Sequence, residues 1–175
     1  MNLRTTALTT RIARPAAVVF ATAAMLLAGT TAAHAVTPTP TAKGPAIANG
    51  QTYYYALKNQ NTGRCVDDSW DYGLRAFTCN GLNYQNFNWY NQSDGTWVIQ
   101  NQNTGRCIDD STAYGLRAFS CNYQSFQRWT IVYQSDGTKT LKNQNTGRVI
   151  DDSTDFGLRA FGYNALSYQR FTFVG

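Results

Sequence analysis

The sequence predicts an all-β protein assembled from three copies of one 42-residue unit, and three observations predict it. The stretch NQNTGRCVDDSWDYGLRAFTCN begins at Asn59, returns as NQNTGRCIDDSTAYGLRAFSCN at Asn101 and again as NQNTGRVIDDSTDFGLRAFGYN at Asn143, so the period is 42 residues both times. A fixed period of this size marks a fold of repeated supersecondary units, each too small to bury its own apolar face. From about residue 50 onward, short apolar segments alternate with Gly-, Asn- and Gln-rich turns, with no stripe at helical spacing, which is β texture. The pattern Gln-x-aromatic closes every copy at the same phase: Gln85 with Phe87, Gln127 with Trp129, and Gln169 with Phe171.

The first 35 residues stand apart from this pattern. Arg4, Arg11 and Arg14 make a basic segment, residues 16–29 are an apolar run of signal-peptide length, and Ala33-His34-Ala35 fits a small-x-small cleavage site. We expect a signal peptide over 1–35 and therefore a secreted, extracellular protein. Residues 36–49, VTPTPTAKGPAIAN, read as a Pro- and Thr-containing linker. The folded domain then spans 50–175, with repeats at about 51–92, 93–134 and 135–175. No later apolar stretch approaches the roughly 20 residues a spanning helix needs.

Within the first repeat the expected strands are 53–58, 64–67, 74–78 and 87–90. Asn-Thr-Gly at 61–63 and Ser-Asp-Gly at 93–95 supply the turns, each with a glycine free to take positive φ. Four strands per unit give twelve, and closing them on themselves leaves no exposed sheet edge. Leu57, Ile99 and Leu141, with Val66, Ile108 and Ile150, form the expected core at equivalent positions. The aromatics Phe87, Trp129 and Phe171 join them, and Gln85, Gln127 and Gln169 are expected to satisfy backbone groups at chain reversals.

Four cysteines allow three pairings, and the repeat symmetry selects one of them. Cys65 with Cys79 and Cys107 with Cys121 each lie 14 residues apart within a single copy. Export favours their oxidation, and closing a loop of this size stabilises by about 3 kcal/mol. The third copy has Val149 and Tyr163 at these positions and must replace the bridge by packing.

Charge and composition exclude several function classes. Removing residues 1–35 takes three of the fifteen basic residues and none of the ten acidic ones, so the net charge falls from +5 to +2. That is too little for a nucleic-acid partner. The one histidine, His34, leaves with the leader, and the sequence holds no glutamate. A Ser-His-Asp triad and any histidine base are excluded, leaving aspartate as the only acidic catalyst. Phosphate-loop and dinucleotide glycine patterns are absent, so no cofactor is expected. No metal is expected either. The thiols are committed to disulfides, and a calcium site at Asp67, Asp68 and Asp71 is broken by Ala113 in the second copy.

With N-x-x-T-G-R-C-x-D, the repeated glycine, C-N and Q-x-aromatic in order, the sequence resembles the ricin-type β-trefoil lectins, most closely the small three-repeat, actinohivin-like group. The resemblance covers about residues 50–175 and implies a β-trefoil with one potential shallow sugar site per repeat. It places the sugar-binding aspartate at Asp67, Asp109 and Asp151 and the asparagine at Asn80, Asn122 and Asn164. A carboxylate accepts hydrogen bonds from adjacent sugar hydroxyls and an amide both donates and accepts, so the pair reads hydroxyl orientation. The disulfide is expected to hold the two at fixed separation. The aromatic platform falls on Phe77, Phe119 and Phe161, with Tyr72, Tyr114 and Phe156 as rivals in the adjoining loop. One departure is systematic: where that group has tyrosine, this sequence has Arg75, Arg117 and Arg159. These cations suit an acidic sugar, phosphate or sulfate. Their alternative role, slightly favoured, is an ion pair with Asp68, Asp110 or Asp152.

The leading expectation is a secreted, non-enzymatic, multivalent lectin for glycans, of mannose type or acidic, with the oligomeric state open. A protein-binding or targeting module or inhibitor in a secreted assembly is the alternative. A glycosidase is disfavoured, because adjacent Asp67 and Asp68 on one strand point to opposite faces.

Overall fold

The computed structural model describes residues 52–175, so the expected signal peptide at 1–35 and linker at 36–49 lie outside the described residues. The strands in order are β1 Thr52–Asn59, β2 Cys65–Ser69, β3 Gly73–Phe77, β4 Phe87–Asn91, β5 Trp97–Asn101, β6 Cys107–Ser111, β7 Gly115–Phe119, β8 Arg128–Tyr133, β9 Lys139–Asn143, β10 Val149–Ser153, β11 Gly157–Phe161 and β12 Phe171–Val174. Short 3-10 turns at Ser125–Gln127 and Ser167–Gln169 precede β8 and β12. Each copy therefore contributes four strands. The second runs two residues further than the sequence suggested, through Asp68 and Ser69.

Six strands close a barrel by antiparallel pairing around the ring: β1 with β4, β4 with β5, β5 with β8, β8 with β9, β9 with β12, and β12 back to β1. The other six form three hairpins, β2–β3, β6–β7 and β10–β11. Strands β3, β7 and β11 approach one another about the pseudo-threefold axis. This is a β-trefoil.

One cluster fills the interior: Leu57, Ile99 and Leu141 from the first strands, Val66, Ile108 and Ile150 from the second, and Phe87, Trp129 and Phe171 from the fourth, with Trp89 added. Each is at most 1% exposed. Burying a side chain of this size contributes about 1.5–3 kcal/mol. Phe87, Trp129 and Phe171, the aromatics of the Gln-x-aromatic pattern, are fully enclosed.

The second strand of each copy is buried at all five positions, so both of its faces are covered. Alternation puts Cys65, Asp67 and Ser69 on one face and the core residue Val66 with Asp68 on the other, where Asp68 meets the next repeat. Asp68 lies on the second face with no exposure, and a carboxylate so placed needs partners. They come from the next copy. Thr104 Oγ1 donates to it, and Arg106 grips both oxygens, with Nε at 3.2 Å from Oδ2 and Nη2 on Oδ1; Nη2 also donates to the Ser69 carbonyl at 2.9 Å. Asp110 is held in the same way by Thr146 and Arg148. Asp152 is held by Thr62 and Arg64 of the first copy. The Thr-Gly-Arg of every repeat thus clamps the second aspartate of the preceding one, and the third clamp returns to the first repeat.

Candidate functional site

The hairpin register builds the candidate site. Ser69 pairs with Gly73 across the turn, and counting back places Asp68 opposite Leu74 and Asp67 opposite Arg75. Directly opposed residues on an antiparallel pair share a face, so Arg75 meets Asp67 and not its neighbour. The Arg75 Nε donates to Asp67 Oδ1 at 3.0 Å. Arg117 and Asp109 repeat this at 3.0 Å, and Arg159 and Asp151 at 3.1 Å. The pairing expected with Asp68, Asp110 and Asp152 does not form, because those carboxylates lie on the opposite face, inside the inter-repeat clamps.

The turn itself is tight. Gly73, at φ +68°, takes a left-handed conformation that a side chain would strain, and the Tyr72 amide donates to Ser69 Oγ at 3.1 Å. This capping recurs at Tyr114 on Ser111 and Phe156 on Ser153. It fixes the loop aromatic on the same side as the arginine. The guanidinium carbon of Arg75 then sits 4.3 Å from the Tyr72 ring centroid and 4.4 Å from that of Phe77. Arg117 lies between Tyr114 and Phe119 at 4.4 and 4.3 Å, and Arg159 between Phe156 and Phe161 at 4.4 Å each. The two rival sets of aromatics are therefore the two walls of one slot, with the arginine between them. The loop rings are 68–72% exposed and the strand rings 42–45%, so their outer faces remain open to a ligand.

A glutamine sets the floor. Gln85, buried, donates its amide to Asp67 Oδ2 at 3.3 Å and to the Thr78 carbonyl at 2.9 Å, while its oxygen accepts the Asn80 backbone amide at 2.8 Å. Gln127 and Gln169 make the equivalent bonds. The glutamine, not a direct contact, links Asn80 to Asp67. The Asn80 side-chain oxygen accepts the Leu82 amide at 3.0 Å, so it closes a local turn, as do Asn122 with Gln124 and Asn164 with Leu166. The residue after each asparagine has φ of +71° at Gly81, +59° at Tyr123 and +62° at Ala165, a conformation costly for the last two.

The aspartates are deeper than the sequence implied. Asp67 and Asp109 are 2% exposed and Asp151 1%, each covered by its arginine. Arg75, Arg117 and Arg159, by contrast, leave 31–33% of the side chain open. Disulfides join Cys65 to Cys79 and Cys107 to Cys121, with Cα atoms 5.0 and 5.1 Å apart. Sequence reasoning assigned no role to Thr62, Thr104, Thr146 or their neighbouring arginines, nor to Ser69 and its equivalents. Residues one register step apart in the hairpin carried the missing signal: counting from the glycine turn separates the two aspartates by face.

The hairpin sites are surfaces rather than cavities. A recess of about 460 Å³ lies elsewhere, among the barrel strands, lined by aromatic residues including Tyr53, Tyr55, Trp97 and Phe173. No group of three metal-ligating side chains occurs among the described residues. Likewise, no helix among them is long and apolar enough to cross a membrane.

Comparison with known proteins agrees with this architecture. The family model described as the ricin-type beta-trefoil lectin domain matches residues 53–165. Among solved structures, the designed threefold-symmetric protein ThreeFoil is similar at TM-score 0.64 and 18% identity, over 70% of this chain and 98% of that one. The hemolytic lectin CEL-III is similar at TM-score 0.60 and 22% identity, over 70% of this chain. An exo-beta-1,3-galactanase from Clostridium thermocellum is similar at TM-score 0.64 and 21% identity, over 71% of this chain. The matched region spans only 30% of each of the last two proteins. Among curated proteins no match was found.

Proposed function

The chain belongs to the ricin-type β-trefoil lectin domain family, and from that premise we propose that it is a secreted, non-catalytic carbohydrate-binding protein with three equivalent shallow glycan sites, one on each hairpin. The observation that carries this reading is the triplication: aspartate, arginine, two aromatics, glutamine and asparagine recur with site distances agreeing to 0.1 Å. A lone structural ion pair gives no reason to keep two large aromatic rings exposed beside it in every copy, whereas a sugar's C–H face stacks on such rings. Each shallow site binds weakly alone. Three on one rigid body raise avidity by about 10²–10⁴ when their spacing matches a multivalent glycan. The apolar run and cleavage pattern in residues 1–35, together with two disulfides, support secretion. The motif spacing supports the actinohivin-like group as the nearest kin within the family.

The buried aspartates argue against catalysis, since each is already committed to an arginine and a glutamine or to an inter-repeat clamp. A second reading has a specific observation behind it. The galactanase similarity covers less than a third of that protein, as expected where a trefoil serves as a targeting module in a larger secreted assembly.

A glycan array decides whether the hairpins bind sugar. Tyr72→Ala, Tyr114→Ala and Phe156→Ala combined remove rings that are at least 68% exposed, so the fold survives. Loss of glycan binding is expected, and unchanged binding overturns the assignment of the sites.

A further inference from the structure

The three hairpin sites offer a ligand hydrogen-bond donors rather than acceptors, because their acceptor oxygens are already engaged. The Asp67 carboxylate lies beneath Arg75, with one oxygen on the arginine Nε and the other on Gln85 Nε2. The Asn80 oxygen is taken by the Leu82 amide. What remains at the surface is the Nη pair of Arg75, which donates to no group among the described residues, and the Asn80 side-chain amide, which likewise donates to none of them. The second and third copies have the same inventory.

The guanidinium is also held in place. Its Nε is tied to a buried carboxylate and its two faces are covered by aromatic rings at 4.3 and 4.4 Å, which leaves the Nη edge as the side free for a ligand. Fixing it in advance removes most of the entropy cost of ordering a long side chain on binding. A planar fork of donors matches the two oxygens of a carboxylate or sulfate, a geometry that lysine or tyrosine cannot reproduce.

We propose that these sites select acidic saccharides, glycans bearing a carboxylate or sulfate group, with Arg75, Arg117 and Arg159 as the specificity-determining residues. The inference rests on the lectin reading above. The oxyanion lies against the Nη pair, the Asn80 amide donates to a neighbouring oxygen, and the outer faces of Tyr72 and Phe77 contact the ring. The hairpin loops also order the copies. Asp71 and Asp155 precede the loop aromatic in the first and third, where the second has Ala113. The Arg117 site therefore has one exposed negative charge fewer nearby and binds the anion most tightly.

The test compares matched glycan pairs on the full chain: sialylated against desialylated, uronic-acid against neutral, and sulfated against desulfated. The acidic member of at least one pair is expected to bind about tenfold more tightly, because an oxyanion forms charge-assisted, bidentate hydrogen bonds with the guanidinium that a neutral hydroxyl cannot. The pairs tell carboxylate from sulfate. Arg→Lys at 75, 117 and 159 together keeps the charge but removes the fork, and loss of the acidic preference is expected. Ala113→Asp, in an exposed loop, tests the same point without touching the packed residues and is expected to weaken acidic binding selectively. Equal binding of acidic and neutral members overturns the acidic selectivity while leaving the lectin reading intact. Binding to no glycan of either kind overturns both.

Discussion

The third repeat builds its site without the covalent bridge that the first two possess, yet the three sites superimpose in their interactions. Arg159 lies 3.1 Å from Asp151, against 3.0 Å in the bridged copies, and Gln169 keeps 3.3 Å to that carboxylate, as Gln85 and Gln127 do to theirs. Val149 fills the interior position of the first cysteine with no exposure, while Tyr163, at the second, is about half exposed. The bridge therefore does not set the geometry. Strand register and the buried glutamine set it, and the disulfide acts on the energy of opening the loop.

Loss of a clamp is the first way to break this comparison. Asp68→Ala, Asp110→Ala and Asp152→Ala each take the buried carboxylate from an arginine that is 18–30% exposed, and each is expected to cost about 1.5–3 kcal/mol in chemical unfolding through the lost charge-assisted hydrogen bonds. If the clamps hold all three repeats equally, the bridged and unbridged copies suffer alike. A much smaller loss at Asp152 would show the third repeat to be the weaker partner throughout.

Next comes the bridge itself. Replacing Cys65 and Cys79 by serine is expected to cost about 3 kcal/mol, and placing cysteines at Val149 and Tyr163 to return a similar gain if the third loop matches the other two. Amide hydrogen exchange sharpens the point. Residues 154–164 are expected to exchange fastest of the three equivalent loops, and the grafted bridge to slow them to the rate of the others. Equal protection in the unaltered protein would contradict this.

Acid gives the smallest effect. Asp94 is held well below the usual carboxylate range, first by the Thr96 hydroxyl at 2.6 Å, with Gln144 and Arg128 adding to it. Asp136 is shifted the same way, first by Thr138, with Gln60 and Arg170 helping. A carboxylate with a lowered folded pKa contributes stability that is complete above the unfolded value of about 4 and fades as pH falls below it. Asp94→Asn with Asp136→Asn should lower the melting temperature modestly at neutral pH and flatten its fall below pH 4, where the wild-type carboxylates lose their advantage. These turns join the second repeat to the third and the third to the first through Gln144 and Gln60, so the third repeat gains at its borders part of what it lacks in its loop.

Much of the fold could be read in the sequence because it depends on local pattern repeated at a fixed interval. The period placed the strands, the core positions and the cysteine pairs. Where reading failed, the cause was a partner distant in sequence. Asp68 and Asp67 look alike in a string of letters, but one meets Arg106, 38 residues on, and the other meets Arg75 across a hairpin. The depth of Asp67 was likewise hidden, since the arginine covers it only once both rings are folded against the guanidinium.

The ring of clamps has a further consequence. Each repeat presents a Thr-Gly-Arg grip at one side and an aspartate at the other, and three such head-to-tail contacts close on themselves. That is the interface geometry of a cyclic trimer written into one chain. The order in which the copies are covalently joined is therefore immaterial to the contacts: a circular permutant opened at either internal repeat junction keeps all three clamps, and a single 42-residue copy carries both halves of the interface needed to assemble with two of its own kind.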